Sequence, residues 1–541
     1  MTKYNNKKIQ IFLPVIICIS IIAGIIIGGL VNPIRSNYIT INPKKDKLNM
    51  IIDYVDAEYV DKVNIQELEE LAIPKFLEAL DPHTVYFSAA ETKRMEEELE
   101  GNFDGIGVQF TIIKDTVCVI NVIEGGPSEH YGVFAGDRIV KVNDSLIAGV
   151  KINNEKVMKL LKGPSNSKVK IDVKRKGSEE LIPITINRGS IPLYSIDAYY
   201  AIDQNTGYIK INNFSRTTYV EFMQAIAKLR RTGINSIIVD LRNNSGGFLH
   251  TATDVIDEFL PTGEMIVYTE GRARGRKEIL STNNHNSCTD LELIVLIDDF
   301  SASASEIFAG AIQDNDRGFI IGRRSFGKGL VQEATTFSDG SMLRLTTARY
   351  YTPSGRSIQK SYESGASDYH SDIYNRYMHG EFMEKDSISF NDSLAYYTLM
   401  GRKVYGGGGI MPDIFVPIDT LGYTNLYGNI SRKNLEYLYA FQYVDDNRNK
   451  LQYVKNLTSL QDFMNDDKAY DKFWNYVIDN NVKVIPAEKE ISGKHIENNF
   501  LGYVARQVLG DNEFYEVINK TDIVIDSALT VIRTNRKLNL E

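Results

Sequence analysis

Short β-branched apolar runs alternate with helical apolar stripes through the middle of the chain, and this alternation predicts an α/β core over residues 191–420. Gly207–Ile211 and Ser236–Leu241 read as strands, with Val220–Leu229 an amphipathic helix between them. Leu291–Ile297 and Gly318–Ile321 are two further buried strands. Ala304, Ile307, Phe308 and Ala311 fall at i, i+3, i+4 and i+7, which predicts a helix between those strands with Ser303 at its entry. Leu330–Phe337 and Leu343–Tyr350 read as strands again.

Outside this stretch the texture changes. Residues 9–31 carry no charge and are long enough to cross a bilayer; Lys3, Lys7 and Lys8 precede them. They read as a transmembrane anchor or a signal segment, following a cytoplasmic N-terminus at 1–8. Their length and the lack of an Ala-x-Ala site favour an uncleaved anchor, with the catalytic part extracytoplasmic. Residues 45–100 are mostly helical, broken at Leu80-Asp81-Pro82-His83-Thr84, where His83 reads as a capping or surface residue. Residues 101–190 are β-rich, and 421–541 are helical and charged. That last region docks onto the core or mediates homo-oligomerisation, and the sequence does not choose.

Composition excludes more than it selects. The chain has 541 residues, 61 basic against 70 acidic side chains and a net charge of −9, so nothing points to nucleic acid. Three cysteines, without Cys-x-x-Cys or His-Glu-x-x-His, give no metal or cofactor site. Cys118 reads as a strand core residue, so no disulfide with Cys288 is expected.

The chemistry concentrates at 299–332. Ser301, Ser303 and Ser305 open the predicted helix and point in different directions, Ser303 away from the other two. They could serve as plain caps, but a serine there also has backbone N–H groups beside it able to hold an oxyanion. Lys328 stands between two glycines in Ser325-Phe326-Gly327-Lys328-Gly329. A lysine acts as a base only when neutral, so burial must lower its pKa from about 10.4 towards 7. Gly322 to Lys328 also fits the first seven positions of a phosphate-binding loop, but Gly329 replaces the required Ser or Thr and a strand follows where a helix is needed. His250 invites a Ser-His-Asp triad, yet Lys328 already offers a base. Asp314 lies three turns from Ser303, about 16 Å along a continuous helix, which favours a structural role.

Ser301-Ala-Ser-Ala-Ser-Glu306 and Phe326-Gly-Lys-Gly-Leu-Val-Gln332 together resemble the S41 family of C-terminal processing peptidases. Tyr351-Thr-Pro-Ser-Gly-Arg356 and Gly406-Gly-Gly-Gly-Ile410-Met-Pro-Asp413 follow in the family's order, so the resemblance spans roughly 47–420. It implies a serine endopeptidase with Ser303 as nucleophile, Lys328 as base and Gln332 orienting the lysine. It further implies an oxyanion hole from the N–H of Ala304 and that of Gly246 or Gly247, in a loop where Ser245 replaces the family's usual proline. Met411 stands in the family's usual Glu position. Residues 101–190 resemble a PDZ domain: Gly105-Ile106-Gly107-Val108 looks like its carboxylate-binding loop, and Gly136-Asp-Arg-Ile-Val-Lys-Val-Asn143 follows a Gly-Pro turn. The implied partners are protein or peptide substrates with free C-termini; a PDZ scaffold with an inactive site is the alternative. Residues 361–400 form a tyrosine-rich insertion that shorter members lack, with no readable role. The expected architecture is thus α/β and multidomain: a transmembrane helix, a helical region, a PDZ domain, an α/β serine-peptidase core and a helical C-terminal region.

Overall fold

The computed structural model describes residues 19–24, 47–123, 125–282, 286–389, 391–420 and 422–534. Most of the predicted anchor, 9–31, lies outside the described residues; among those described, no helix is long and apolar enough to cross a membrane. The chain divides into two units, Met1–Ala72 and Ile73–Glu541. In the first, helix Lys47–Glu58 buries none of its residues and exposes Met50, Ile51 and Tyr54.

The second unit is built on a six-stranded sheet in the order Ile196–Ala201, Thr206–Ile211, Ser236–Asp240, Glu292–Ile297, Phe319–Gly322, Ile414–Phe415. The first pair is antiparallel and the rest are parallel. Its central strands are apolar on both faces because both faces are covered, as parallel sheets require. Helices Thr218–Arg230, Leu249–Asp257 and Ala304–Asp314 close one face through Phe222, Val255, Ile256, Phe308 and Ile312. Helix Ile523–Arg533 closes the other with Val524, Ile525, Ala528 and Leu529 against Tyr208, Ile238, Ile294 and Ile321. A second, wholly antiparallel sheet carries the ten-residue strand Met342–Tyr351, paired with Val85–Phe87, Leu330–Thr336 and Met265–Gly271. The hairpin partner Gly275–Leu280 completes it.

The β-rich region is a separate sheet, Val108–Ile113, Thr116–Val122, Arg138–Val142, Lys168–Lys174 and Ile182–Asn187, with helices Pro127–His130 and Asn154–Leu161. Strand Val108–Ile113 ends this sheet and pairs on one side only. Cys118 and Cys288 are both buried and free.

The C-terminal region docks onto its neighbours in the second unit. Its helices form their own core around Phe473 and Phe500, stacked with ring centroids 4.8 Å apart. It then reaches two neighbours. Arg138 of the β-rich domain donates to Asp445 at 2.8 Å, and Arg242 of the core donates to Asp522 at 2.7 Å.

Candidate active site

Three serines that alternate with alanines have different fates. Ser301 Oγ donates to Leu241 O and accepts from Asp298 N–H, both at 2.9 Å; Ser305 Oγ donates to Asn244 O at 2.9 Å. Both are fully buried. Ser303 is partly exposed and its backbone is strained, with φ 55° and ψ −113° in a residue that has a side chain. Such conformations cost about 1–3 kcal/mol and persist only where the surroundings impose them. Here the imposing group is Glu306.

In the sequence Glu306 is only the last residue of the Ser301–Glu306 block, and nothing local marks its part in the site. It is fully buried, and each carboxylate oxygen accepts twice. Oε2 takes the N–H of Ser303 at 2.9 Å and of Lys328 at 2.8 Å; Oε1 takes Ser325 Oγ at 2.6 Å and the N–H of Gly327 at 2.7 Å. One carboxylate therefore pins the serine at the helix entry to the loop that carries the lysine. Tyr350, also buried, repeats the clamp on the carbonyl side, its hydroxyl lying 3.1 Å from Ser303 O and 2.5 Å from Lys328 O. Desolvation pushes the Glu306 carboxyl up to about 7, although four donated hydrogen bonds oppose the shift.

Lys328 leads into strand Leu330–Thr336 and points its Nζ at Gln332 Oε1, 3.0 Å away. Burial, assisted by the Arg344 guanidinium, lowers its amine to about 8, against the pull of Glu306 and Asp81. Gln332 donates in turn to the carbonyl of His83. The capping or surface role expected for His83 is therefore corrected: it is half-buried beside the lysine. Desolvation and the Lys328 charge hold its imidazole down at about 3. Asp81, buried beneath it, fixes the turn by accepting from the N–H groups of His83 and Thr84 at 2.8 Å.

The loop after strand Ser236–Asp240 touches the serine directly. A Cβ on Gly246 would lie 2.8 Å from Ser303 Cβ, and one on Gly247 2.2 Å from Phe214 O, so neither position admits a side chain. The Gly246 N–H donates to Asn244 Oδ1 at 2.9 Å, which removes it as a free donor and leaves Gly247 of the two alternatives. Asn244, fully buried and not singled out by sequence, also receives Ala302 N–H on its carbonyl at 3.0 Å. Ala304 is the first residue of helix Ala304–Asp314, where an N–H has no partner within the helix.

The other candidates sit elsewhere. His250 is exposed in the first turn of helix Leu249–Asp257, its ring against Phe248. Asp314 is buried at the far end of its helix, where it accepts from Arg356 at 2.7 Å and from the N–H of Ser354 at 3.0 Å. Among the described residues no cluster of His, Cys, Asp and Glu could hold a metal. Gly105 to Val108 open the β-rich domain: Gly107 has φ +77°, and the carbonyls of Ile106 and Gly107 are tied to Ser128 N–H and Ile123 N–H at 2.9 and 3.0 Å. Val108, Phe110 and Ile112 pack partly exposed against that domain's core.

The model of peptidase family S41 matches residues 205–366, that of the PDZ domain residues 105–186, and a family of unknown function (DUF8443) residues 426–510. The chain is 36% identical over 313 residues to a carboxy-terminal-processing protease of Bartonella bacilliformis, covering 57% of this chain and 71% of that one. It is 33% identical over 318 residues to the carboxy-terminal processing protease CtpA of Bacillus subtilis, covering 59% and 67%. Among solved structures it matches a photosystem II D1 C-terminal processing protease at 25% identity and a TM-score of 0.34, over 70% of this chain and 94% of that one. The chain belongs to peptidase family S41, as a serine-type carboxy-terminal processing protease with a PDZ domain.

Proposed function

We propose that this chain hydrolyses peptide bonds with a Ser303–Lys328 dyad and selects its substrates by their free C-termini through the PDZ domain. The observation that carries the reading is the double clamp, in which Glu306 and Tyr350 join the backbones of Ser303 and Lys328. Neutral Lys328 Nζ takes the Ser303 Oγ proton as the oxygen attacks the scissile carbonyl carbon. The N–H groups of Ala304 and Gly247 receive the oxyanion. As the tetrahedral adduct collapses, Lys328 passes its proton to the leaving amine, and a water attacks the acyl-enzyme with the same base. Gln332 keeps the amine oriented and takes no proton itself.

Substrate selection rests on the Gly105-Ile106-Gly107-Val108 loop and the open edge of strand Val108–Ile113 beside it. An extended peptide adds to such an edge as a strand, and its terminal carboxylate accepts the loop N–H groups. With residues 9–31 in place, the catalytic part is held at the outer face of a bacterial membrane, and the full chain resists extraction by alkaline washing.

The test uses the purified full chain and a polypeptide ending in a free apolar C-terminus, with products read by mass spectrometry. Wild type cleaves it, Ser303→Ala does not, and amidating the C-terminus raises KM several-fold. Equal cleavage of the acid and amide forms overturns the PDZ half of the reading, while cleavage by Ser303→Ala overturns the catalytic half.

A further inference from the structure

The insertion over 361–400, silent in the sequence, forms helix Ala366–Met378 and lies against the site. Arg376 fixes it there, donating to the carbonyls of Arg324 at 2.6 Å and Ser325 at 3.0 Å, just ahead of the lysine loop. Tyr369, in its first turns, is 2% exposed. We infer that Tyr369 is the positioning residue for the general base: its hydroxyl holds His83, whose carbonyl holds Gln332, which holds the Lys328 amine. The inference rests on the dyad reading above.

Each link is a contact. Tyr369 Oη lies 2.6 Å from His83 Nε2, with the rings edge to face and their centroids 5.1 Å apart. Gln359 meets the same hydroxyl. Its Oε1 accepts the N–H of Gly329 at 2.8 Å, so its Nε2 is the end that approaches Tyr369 Oη, at 3.4 Å. Gln359 Nε2 also donates to Lys360 O at 2.7 Å, and the Tyr369–His83 bond joins the phenol to an imidazole that is neutral at working pH. His83 then offers its carbonyl to Gln332 Nε2, and Gln332 Oε1 receives Lys328 Nζ.

Tyr369 reaches the lysine from the other side too. Its ring packs edge-on against Phe326, centroids 5.9 Å apart, and the Lys360 ammonium lies 3.9 Å from the Phe326 centroid and 4.2 Å from that of Tyr369. Lys360 Nζ donates to Tyr369 O at 3.1 Å, and its N–H donates to Gly327 O at 3.0 Å. One side chain thus bears on the partner of the base and on the loop that carries it. A tyrosine kept only for packing would fill the same space without its hydroxyl.

Tyr369→Phe separates the two, because it keeps the ring and its aromatic contacts and removes only what the hydroxyl makes, the 2.6 Å bond to His83 and the 3.4 Å approach of Gln359. Its kcat should fall about tenfold, the scale of one lost hydrogen bond, with KM within about twofold. In a Gln332→Ala background it should cost nothing more, since both act on Lys328 through one link. His83→Leu, which cuts the same bond from its other end, should reproduce the loss and serves if Tyr369→Phe melts early. Unchanged kcat in Tyr369→Phe, or a loss that multiplies with Gln332→Ala, overturns the inference. Lys328→Ala is run alongside: if it still cleaves, the dyad reading fails; if it is inert while Tyr369→Phe is fully active, only the role of Tyr369 fails.

Discussion

Lys328→Arg is expected to abolish peptide cleavage while leaving a folded protein, and so is Lys328→Ala. The loss expected from removing a general base is about a hundredfold to ten-thousandfold. Arginine keeps the positive charge and the long stem but does not deprotonate at accessible pH, so it distinguishes a base from a mere cation. The sign of the pH dependence follows from the same residue. Burial lowers the amine to about 8, and with the neutral amine as the proposed base kcat should rise with pH along a limb centred near that value. At pH 7 about one molecule in ten carries the neutral amine. Initial rates from pH 6 to 10 measure the limb, and a thermal melt confirms that each variant folds. Ser303→Ala combined with Lys328→Ala is no worse than either alone, because the pair acts as a unit. Substantial cleavage by folded Lys328→Ala places the base elsewhere, and the half-buried, neutral His83 becomes the group to examine.

The elements that position the site were legible because their periods are clean. Ser236–Asp240 and Glu292–Ile297 fall within a residue of their expected bounds, and helix Ala304–Asp314 begins directly after Ser303, the residue expected at its entry. Local pattern also set Ser303 apart in direction from the other two serines, with the resemblance making it the nucleophile, and in the structure Ser301 and Ser305 are tied to Leu241 O and Asn244 O, residues some sixty positions earlier in the chain. What stayed hidden depends on such long-range contacts. Glu306 and Tyr350 look like an ordinary first-turn acid and an ordinary strand aromatic until the lysine loop folds onto them. His83 lies 249 positions from Gln332, and no local signal announces that its carbonyl serves the site. The helix Ala366–Met378 was opaque for the same reason. Its buried residues, Tyr369 and Arg376, face the active-site loop, and beside them only Ala366 and Ile373 are half-buried and apolar, so the stripe that marks it is short and interrupted by an arginine.

Glu306→Ala is expected to cost both stability and all measurable activity, since four buried donors lose their acceptor at once. Each unsatisfied group costs about 1–3 kcal/mol. Glu306→Gln is the more informative change. A carboxamide offers one acceptor oxygen and one NH2, so it cannot serve both pairs of donors. With its oxygen at the Oε2 position it keeps Ser303 and Lys328 clamped and leaves the Gly327 N–H facing an NH2; Ser325 Oγ can turn to accept. Reversed, it orphans the N–H groups of both Ser303 and Lys328, so the first orientation is favoured. The variant should fold with a lowered melting temperature and keep part of its activity. Its pH profile then reports on charge. The Glu306 carboxylate holds the Lys328 amine up, against the larger effect of burial, so removing that negative charge favours the neutral amine further. The rising limb of kcat should accordingly move to lower pH than in wild type, even as the plateau falls. A limb that stays in place would mean that Glu306 acts on the site through geometry alone, and a limb that moves upward would contradict its charge acting on Lys328 at all.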